Sequence, residues 1–244
     1  MFINSLEILN KALKQGNAIA SYKVYNLDIA KYVIQEYNTI NKPVILCFDK
    51  IILEQKRDIS DIYNYVNDLL KSLNIKIPVG LCMDCSDDLQ LCKSIIDTGF
   101  NFVIIDFSKQ EISNSYNKIK DICSYAHTKK SFIEAKISIN KDLFINDYYN
   151  EFIIRTNIDI LSPIIENDND IDYEFLSQIC KKAKITISFN NDFNLDENKL
   201  KTVIFCGVCK INFNNQLKSF SKYNKNEIKN IIFLGNEIIN NNFL

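Results

Sequence analysis

Ile77-Pro78-Val79-Gly80-Leu81-Cys82-Met83-Asp84-Cys85-Ser86 reads as a short apolar strand that runs into a single acidic residue. A brief apolar run bounded by turn residues is the mark of a strand buried on both faces. Asp88 to Thr98 then carries a helical pattern, so the segment is one strand–helix unit. The same unit recurs on both sides of it. Upstream, Ala18 to Tyr22 reads as a strand followed by a helix from Leu27 to Tyr37. Pro43 to Phe48 is a second strand, and the helix from Asp58 to Leu73 places Ile59, Ile62, Tyr63, Val66, Leu69 and Leu70 at helical spacing. Downstream the pairs are Phe102–Asp106 with Ser113–Thr128, Ser131–Ile137 with 146–156, and Asp159–Ile165 with Tyr173–Ala183. Ile185–Phe189 with Glu197–Cys206 follows, and Val208–Phe213 leads into helical segments from Asn214 to the end.

Strands alternating with helices across short joints predict a parallel sheet with helical crossovers. Eight such units in 244 residues predict an α/β fold, a single (β/α)8 TIM barrel with eight parallel strands. In that architecture functional groups sit at the C-terminal strand ends. An open doubly wound sheet is the alternative, but it has no place for eight evenly spaced strands. No linker, internal repeat or low-complexity stretch divides the chain, so residues 1–244 read as one domain.

Charge narrows the function classes. A net charge of -1 and a pI near 6.0 argue against a nucleic-acid groove or an anionic-membrane surface, both of which need clustered positive charge. No apolar run reaches transmembrane length, and the N-terminus shows no secretory pattern. Most of the eight cysteines sit inside apolar patterns, where free cysteine behaves as a small buried hydrophobe. A cytoplasmic protein is expected.

Several stretches, in order and in register, resemble class II, zinc-dependent fructose- and tagatose-bisphosphate aldolases. Leu81 to Ser86 is placed like that family's Leu-His-Leu-Asp-His-Gly. Ala20-Ser21-Tyr22-Lys23-Val24-Tyr25-Asn26-Leu27 resembles its Gly-Ala-Phe-Asn-Val-x-Asn-Leu opening, and Asn41 to Leu46 its second strand. Ile96 to Ser108 tracks Ile-Asp-x-Gly-Phe-x-x-Val-Met-Ile-Asp-Gly-Ser. Tyr125-Ala126-His127, Ile133-Glu134-Ala135, Thr156 to Leu161 and Gly207 to Asn212 follow in register.

The resemblance implies a zinc ion held by three histidines, which polarises the ketose oxygen and stabilises the enediolate formed on carbon–carbon cleavage. This chain has one histidine, His127, at a helix end away from the chemistry. The metal positions of the family fall instead on Cys85, Asn169 and Asn190. An asparagine amide is a poor zinc ligand, and one thiolate does not replace three imidazoles. The expectation is therefore that no cofactor is present and the ancestral zinc is lost. Other parts of the apparatus differ too. Glu-Ala-Glu-Leu-Gly becomes Glu134-Ala135-Lys136-Ile137-Ser138, and the Gly-Gly loop after it reads as deleted. The His-Gly-Gly-Ser-Gly phosphate cradle becomes Asn190-Asn191-Asp192-Phe193-Asn194, where Asp192 would repel a phosphate dianion and Phe193 would crowd it. Phe107 replaces a glycine, and Asn215-Gln216 a Thr-Asp pair. Asp84 and Asn212 survive from the catalytic and substrate-binding set, as vestiges.

Two Cys-x-x-Cys pairs, Cys82/Cys85 and Cys206/Cys209, suggest a structural zinc site, but they fall at opposite ends of a barrel. Cys82 and Cys85 alone leave open a redox pair or, with Asp84, a substitute metal site. Inert packed thiols are the simpler reading.

The sequence thus points to a catalytically inactive class II bisphosphate-aldolase homologue acting as a scaffold or binding protein. The alternatives are an enzyme of altered chemistry using Asp84 as acid/base or Lys136 as a Schiff-base amine, and an active ketose-bisphosphate aldolase. The apolar excess at Ile228, Ile231, Ile232, Phe233 and Leu234 reads either as a segment that closes the barrel or as a contact with another barrel. The second reading predicts a homo-oligomer, or a hetero-oligomer with a related aldolase.

Overall fold

The run that ends in Asp84 forms strand β3 (Val79–Asp84) of a computed structural model that describes residues 5–54, 58–142, 147–164, 171–192, 195–217, 232 and 235. The other strands are β1 (Ile19–Val24), β2 (Val44–Asp49), β4 (Phe102–Asp106), β5 (Phe132–Ser138), β6 (Ile160–Ile164), β7 (Thr186–Asn190) and β8 (Lys210–Phe213). They pair in sequence order, all parallel, and β8 closes on β1 through the partners Ser21 and Asn212. The expected eight-stranded barrel is what forms.

Helices α1 (Ser5–Lys14), α2 (Leu27–Thr39), α3 (Ile51–Glu54), α4 (Ile59–Ser72), α5 (Leu89–Thr98), α6 (Ile112–Thr128), α7 (Tyr148–Thr156), α8 (Tyr173–Ala183) and α9 (Glu197–Phe205) accompany the strands. Short acidic or amide side chains start several of them. Asn26, Asp88, Asp172 and Asp196 each accept a backbone N–H of the first turn, and Asp58 forms a capping box with Asp61. Gly99 ends α5 with φ 107, a left-handed conformation that glycine adopts without a Cβ penalty. Among the described residues no helix is long and apolar enough to cross a membrane.

Alternate residues of each strand face opposite ways, and this divides the interior in two. Tyr22, Val24, Leu46, Phe48, Leu81, Met83, Val103, Ile105, Ile133 and Ala135 pack outward against the helices in the main core. Ile19, Ile45, Cys47, Cys82, Phe102, Ile104 and Ile160 face the barrel axis. Helix α1, which the sequence reading did not anticipate, plugs the N-terminal end of the barrel with Ile8, Leu9 and Ala12. A Cβ on Gly80 would lie 2.5 Å from Ser5 Oγ, so the close seat of α1 on β3 depends on glycine there.

The strand ends correct the sequence reading. Five strands were expected to stop at their last apolar residue, at Tyr22, Phe48, Met83, Ile137 and Phe189, yet they continue to Val24, Asp49, Asp84, Ser138 and Asn190. Strand β8 begins at Lys210 and not at Val208. At the mouth the reason is that a barrel tolerates polar residues along its axis, as at Lys23, Asp49 and Asp84, so the apolar run is interrupted before the ladder ends. Ile232 is buried in the main core. Ile228, Ile231, Phe233 and Leu234 lie outside the described residues.

Candidate functional site at the barrel mouth

The C-terminal ends of β1 to β5 present, in order, Lys23, Asp49, Asp84, Asp106 and Lys136. Strands β6 to β8 present Ser162, Asn190 and Asn212. The mouth is therefore charged over five consecutive strands and neutral over the remaining three.

Asp84 is the hub. Its Oδ2 accepts from Lys23 Nζ at 2.9 Å and from Lys136 Nζ at 2.9 Å, while Oδ1 accepts the backbone N–H of Ser86. These groups come from alternate strands β1, β3 and β5, which is how side chains share one level inside such a barrel. Lys23 also reaches Asp49 Oδ2 at 3.1 Å. Burial alone would raise the Asp84 carboxyl, but the Lys136 and Lys23 ammoniums outweigh it and hold Asp84 well below the usual carboxylate range. Burial would likewise lower both lysines, and the charge of Asp84 more than reverses that, so both are raised. At neutral pH the cluster is one carboxylate clamped by two ammoniums.

Two residues deeper on β5, β7 and β8 is a second polar level. Lys210 Nζ donates to Glu134 Oε2 at 2.7 Å, and both side chains are 0% exposed. Glu134 Oε1 accepts from Ser188 Oγ and from Asn212 Nδ2, and Lys210 also donates to Asn212 Oδ1. The ammonium lies 5.0 Å from the centre of the Phe102 ring. A buried pair survives only when its remaining hydrogen-bonding capacity is met, and here it is met on every side.

Asn212 joins the two levels, since its Nδ2 also donates to Asn190 Oδ1 at 3.1 Å. Asn190 in turn donates to Ser162 Oγ at 2.9 Å and accepts from Asn214 Nδ2, which also donates to Asp192. Gln216 donates to the carbonyl of Asn191, and Tyr25 donates to that of Asn214. The residues that follow β7 and β8 are thus knitted together by amides.

Among the residues singled out from the sequence, Asp84 and Lys136 meet directly, and Asn190 and Asn212 meet each other. Cys85 does not join them. It turns outward into the main core, where hydrogen bonding to Cys92 and burial push its thiol well up. Cys82 faces the axis, beside Cys47, and burial raises its thiol too. Cys82, inside β3, and Cys85, one residue past its end, are thus packed in different clusters, and in this structure their thiols do not face each other as a redox pair or a joint metal site would require. Cys206 and Cys209 lie before β8, at the far end of the barrel from Cys85. His127 is at the same far end, where its Nε2 bonds the Asp159 carboxylate and its Nδ1 the Asn157 amide. Asn169, Phe193 and Asn194 lie outside the described residues.

A zinc ion does not fit the described donor set. The Cys85 thiol faces away, the Asn190 amide is already held by Ser162, Asn212 and Asn214, and two ammoniums occupy the space next to Asp84. Among the described residues no group of three or more His, Cys, Asp or Glu is arranged to hold a metal ion. The sequence reading missed Lys23, Asp49, Asp106 and Lys210 as site residues. The signal that finds Lys23, Asp49 and Asp106 is a charged side chain at the inward phase of a strand's C-terminal end, and for Lys210 it is a charged side chain two residues before the inward Asn212.

Comparison with known proteins places this geometry. The model of the family described as "Fructose-bisphosphate aldolase class-II" matches residues 3–237. The chain is 24% identical over 237 residues to the fructose-bisphosphate aldolase of Staphylococcus aureus, covering 89% of this chain and 83% of the relative. It is 22% identical over 232 residues to that of Geobacillus stearothermophilus, covering 88% and 81%. Among solved structures, the YdjI aldolase of Escherichia coli superposes with a TM-score of 0.80 at 18% identity, over 97% of this chain and 94% of that one. The fructose-bisphosphate aldolase of Campylobacter jejuni does so with a TM-score of 0.75 at 16% identity, over 87% and 75%.

Proposed function

The chain belongs to the class II fructose-bisphosphate aldolase family, and from that premise we propose that it is a catalytically inactive member serving as a scaffold or binding protein. One observation carries the reading. Lys23 and Lys136 put two ammoniums on the same oxygen of Asp84, in a mouth whose described residues offer no ligand set for the family's zinc. A fixed positive charge already neutralises the surviving carboxylate. Without a Lewis acid, a ketose oxygen has nothing of comparable strength to polarise it and to hold the enediolate that cleavage would form.

Altered chemistry through Lys136 meets a specific obstacle. A Schiff-base lysine must be unprotonated to attack a carbonyl, and enzymes achieve that by lowering its pKa. Here Asp84 raises it. Asp84 itself, held ionised by two lysines, has no proton to give and little basicity.

The scaffold role needs a surface. Ile154 and Phe205, 77% and 92% exposed on α7 and α9, support association with a second barrel, either another copy or a related aldolase. Eight unpaired thiols suit a reducing compartment such as the cytoplasm.

Elemental analysis of the purified protein, paired with a cleavage assay on fructose 1,6-bisphosphate, tests the central reading. Substoichiometric zinc and no cleavage are expected. About one zinc per chain, together with cleavage abolished by a chelator, would make it an active ketose-bisphosphate aldolase instead. Light scattering of the protein, alone and mixed with an active aldolase from the same cell, tests the association, and a monomer in both would remove it.

A further inference from the structure

Helices α6 and α7 leave a groove between them on the outside of the barrel, with a volume of about 210 Å3. Aromatic side chains dominate its lining. The rings of Tyr116 and Phe152 meet edge to face with their centres 6.3 Å apart, and Tyr148 flanks them. Ser113, Glu151 and Arg155 complete the lining, the last two as an exposed ion pair one helical turn apart. An apolar cavity of about 150 Å3 takes up benzene, so this groove has room for one phenyl ring. Such a ring stands elsewhere on the same surface. Phe205, on α9, is 92% exposed. It ends a stripe that begins with Glu197 and Lys201, a second exposed ion pair one turn apart. Helix α8 packs between α7 and α9, so one copy does not bring its own ring to its own groove.

The charges beside the ring match those beside the groove. From start to end α9 carries Glu197, Lys201 and Phe205, and α7 carries Tyr148, Glu151 and Arg155. Each step is three or four residues, so each set lies along one face of its helix. Laid antiparallel, the two helices bring Phe205 to Tyr148 at the groove, Lys201 to Glu151 and Glu197 to Arg155. A parallel alignment sets Phe205 against Arg155 and leaves Glu197 without a cation. Exposed ion pairs contribute little within one chain, so exchanging their partners across a contact costs little and fixes its register. Aromatic rings seated in pockets, with arginine beside them, are what anchor protein interfaces. We propose that Phe205 of one copy inserts into the α6–α7 groove of a second copy, with α9 antiparallel to the α7 it meets. The proposal rests on the reading of this chain as an associating barrel and names the surface and the partner. Ring and groove are different patches, so the contact is heterologous and joins copies head to tail.

Light scattering on the size-fractionated full chain tests it with two variants at exposed positions, Phe205→Asp, which removes the ring, and Ser113→Trp, which fills the groove. Each is used only after a wild-type-like cooperative melt is recorded. Wild type should associate with a dissociation constant on the order of 10 μM, and each variant should weaken that at least about tenfold. Mixed in equal amounts, the two variants should form a one-to-one dimer and nothing larger, because the Ser113→Trp chain keeps its Phe205 and the Phe205→Asp chain keeps its groove. Association unchanged in both variants, or a mixture that stays monomeric while wild type associates, would overturn this contact and leave association through another surface standing. A wild-type chain that is monomeric alone would overturn the contact as well, and a complex formed only on adding an active aldolase would assign association to that partner instead.

Discussion

Lys136 and Asp84 face each other across the barrel mouth from strands β5 and β3, with Nζ 2.9 Å from Oδ2, and Lys23 approaches the same oxygen from β1 at the same distance. Each lysine thus has a partner that the other also needs. Asp84 keeps one ammonium if either lysine is removed, whereas both lysines lose their shared acceptor if Asp84 is neutralised.

That asymmetry orders the substitutions. Lys136→Met should cost about 1–3 kcal/mol, because Asp84 retains Lys23, while Asp84→Asn should cost about 3–5 kcal/mol by leaving Lys136 buried and unpaired. Urea unfolding of the two variants measures this. Equal or inverted losses would mean the triad is not the unit that holds this end of the barrel.

The same triad sets a pH dependence with a definite sign. The folded pKa of Asp84 is depressed, so its contribution is fully present above the unfolded value of about 3.9 and is lost as pH falls through the lower folded one. Lys23 and Lys136 are raised, so theirs is complete below about 10.4 and is lost as pH rises through the higher folded values. Relative to wild type, Asp84→Asn should lose less stability on acidification below about pH 4, and Lys136→Met less on alkalinisation above about pH 10. Urea midpoints across that range check both limbs, and parallel curves for all three proteins would contradict the assignment.

How legible this was in the sequence differs between frame and site. The barrel could be read because each strand is a short apolar run with a helical pattern behind it, as in Val79 to Met83 followed by Leu89 to Thr98. Asp84 and Lys136 were visible only through the positions they hold in the family's motifs. Lys23, Asp49 and Asp106 were not visible, since a charged residue at a strand's end looks like the start of a loop unless its inward phase is counted. Cys82 and Cys85 misled for the converse reason. Their spacing suggests a pair on a turn, but Cys82 lies inside β3 and Cys85 one residue past its end, and the two thiols pack in different clusters. Helix α1 escaped because its apolar face is short and its role, plugging the axis, is fixed only when the barrel closes.

The buried pair beneath the mouth gives a sharper energetic test. Lys210→Met removes the ammonium that Glu134 Oε2 accepts from in a site with no exposure, and should cost about 3–5 kcal/mol. Removing both charges with Glu134→Leu and Lys210→Met should cost less than the sum of the single changes, because neither partner is then stranded. A double-mutant cycle by urea unfolding decides. Additive losses would mean that Ser188 and Asn212, and not Lys210, sustain the Glu134 carboxylate.

The cysteines yield a prediction about reactivity. A thiol reacts as its thiolate, and burial with a thiol neighbour raises the pKa of both Cys82 and Cys85. Neither side chain reaches solvent, and Cys82 sits beside Cys47 on the axis while Cys85 sits beside Cys92 under α5. In native protein a chromogenic disulfide reagent should therefore leave both unlabelled, with labelling appearing at the rate of global unfolding and reaching all eight cysteines in denaturant. Peptide mapping after graded exposure gives the order in which they react. Cys180, which is only partly buried, should precede them. Rapid labelling of Cys85 in the folded protein, or a Cys82–Cys85 disulfide after mild peroxide treatment, would require the end of β3 to leave the ladder. The Lys23–Asp84–Lys136 clamp one residue before Cys85 is what opposes that opening, so Asp84→Asn should speed Cys85 labelling more than it speeds that of Cys123, which is buried on the inner face of α6 and takes no part in the clamp.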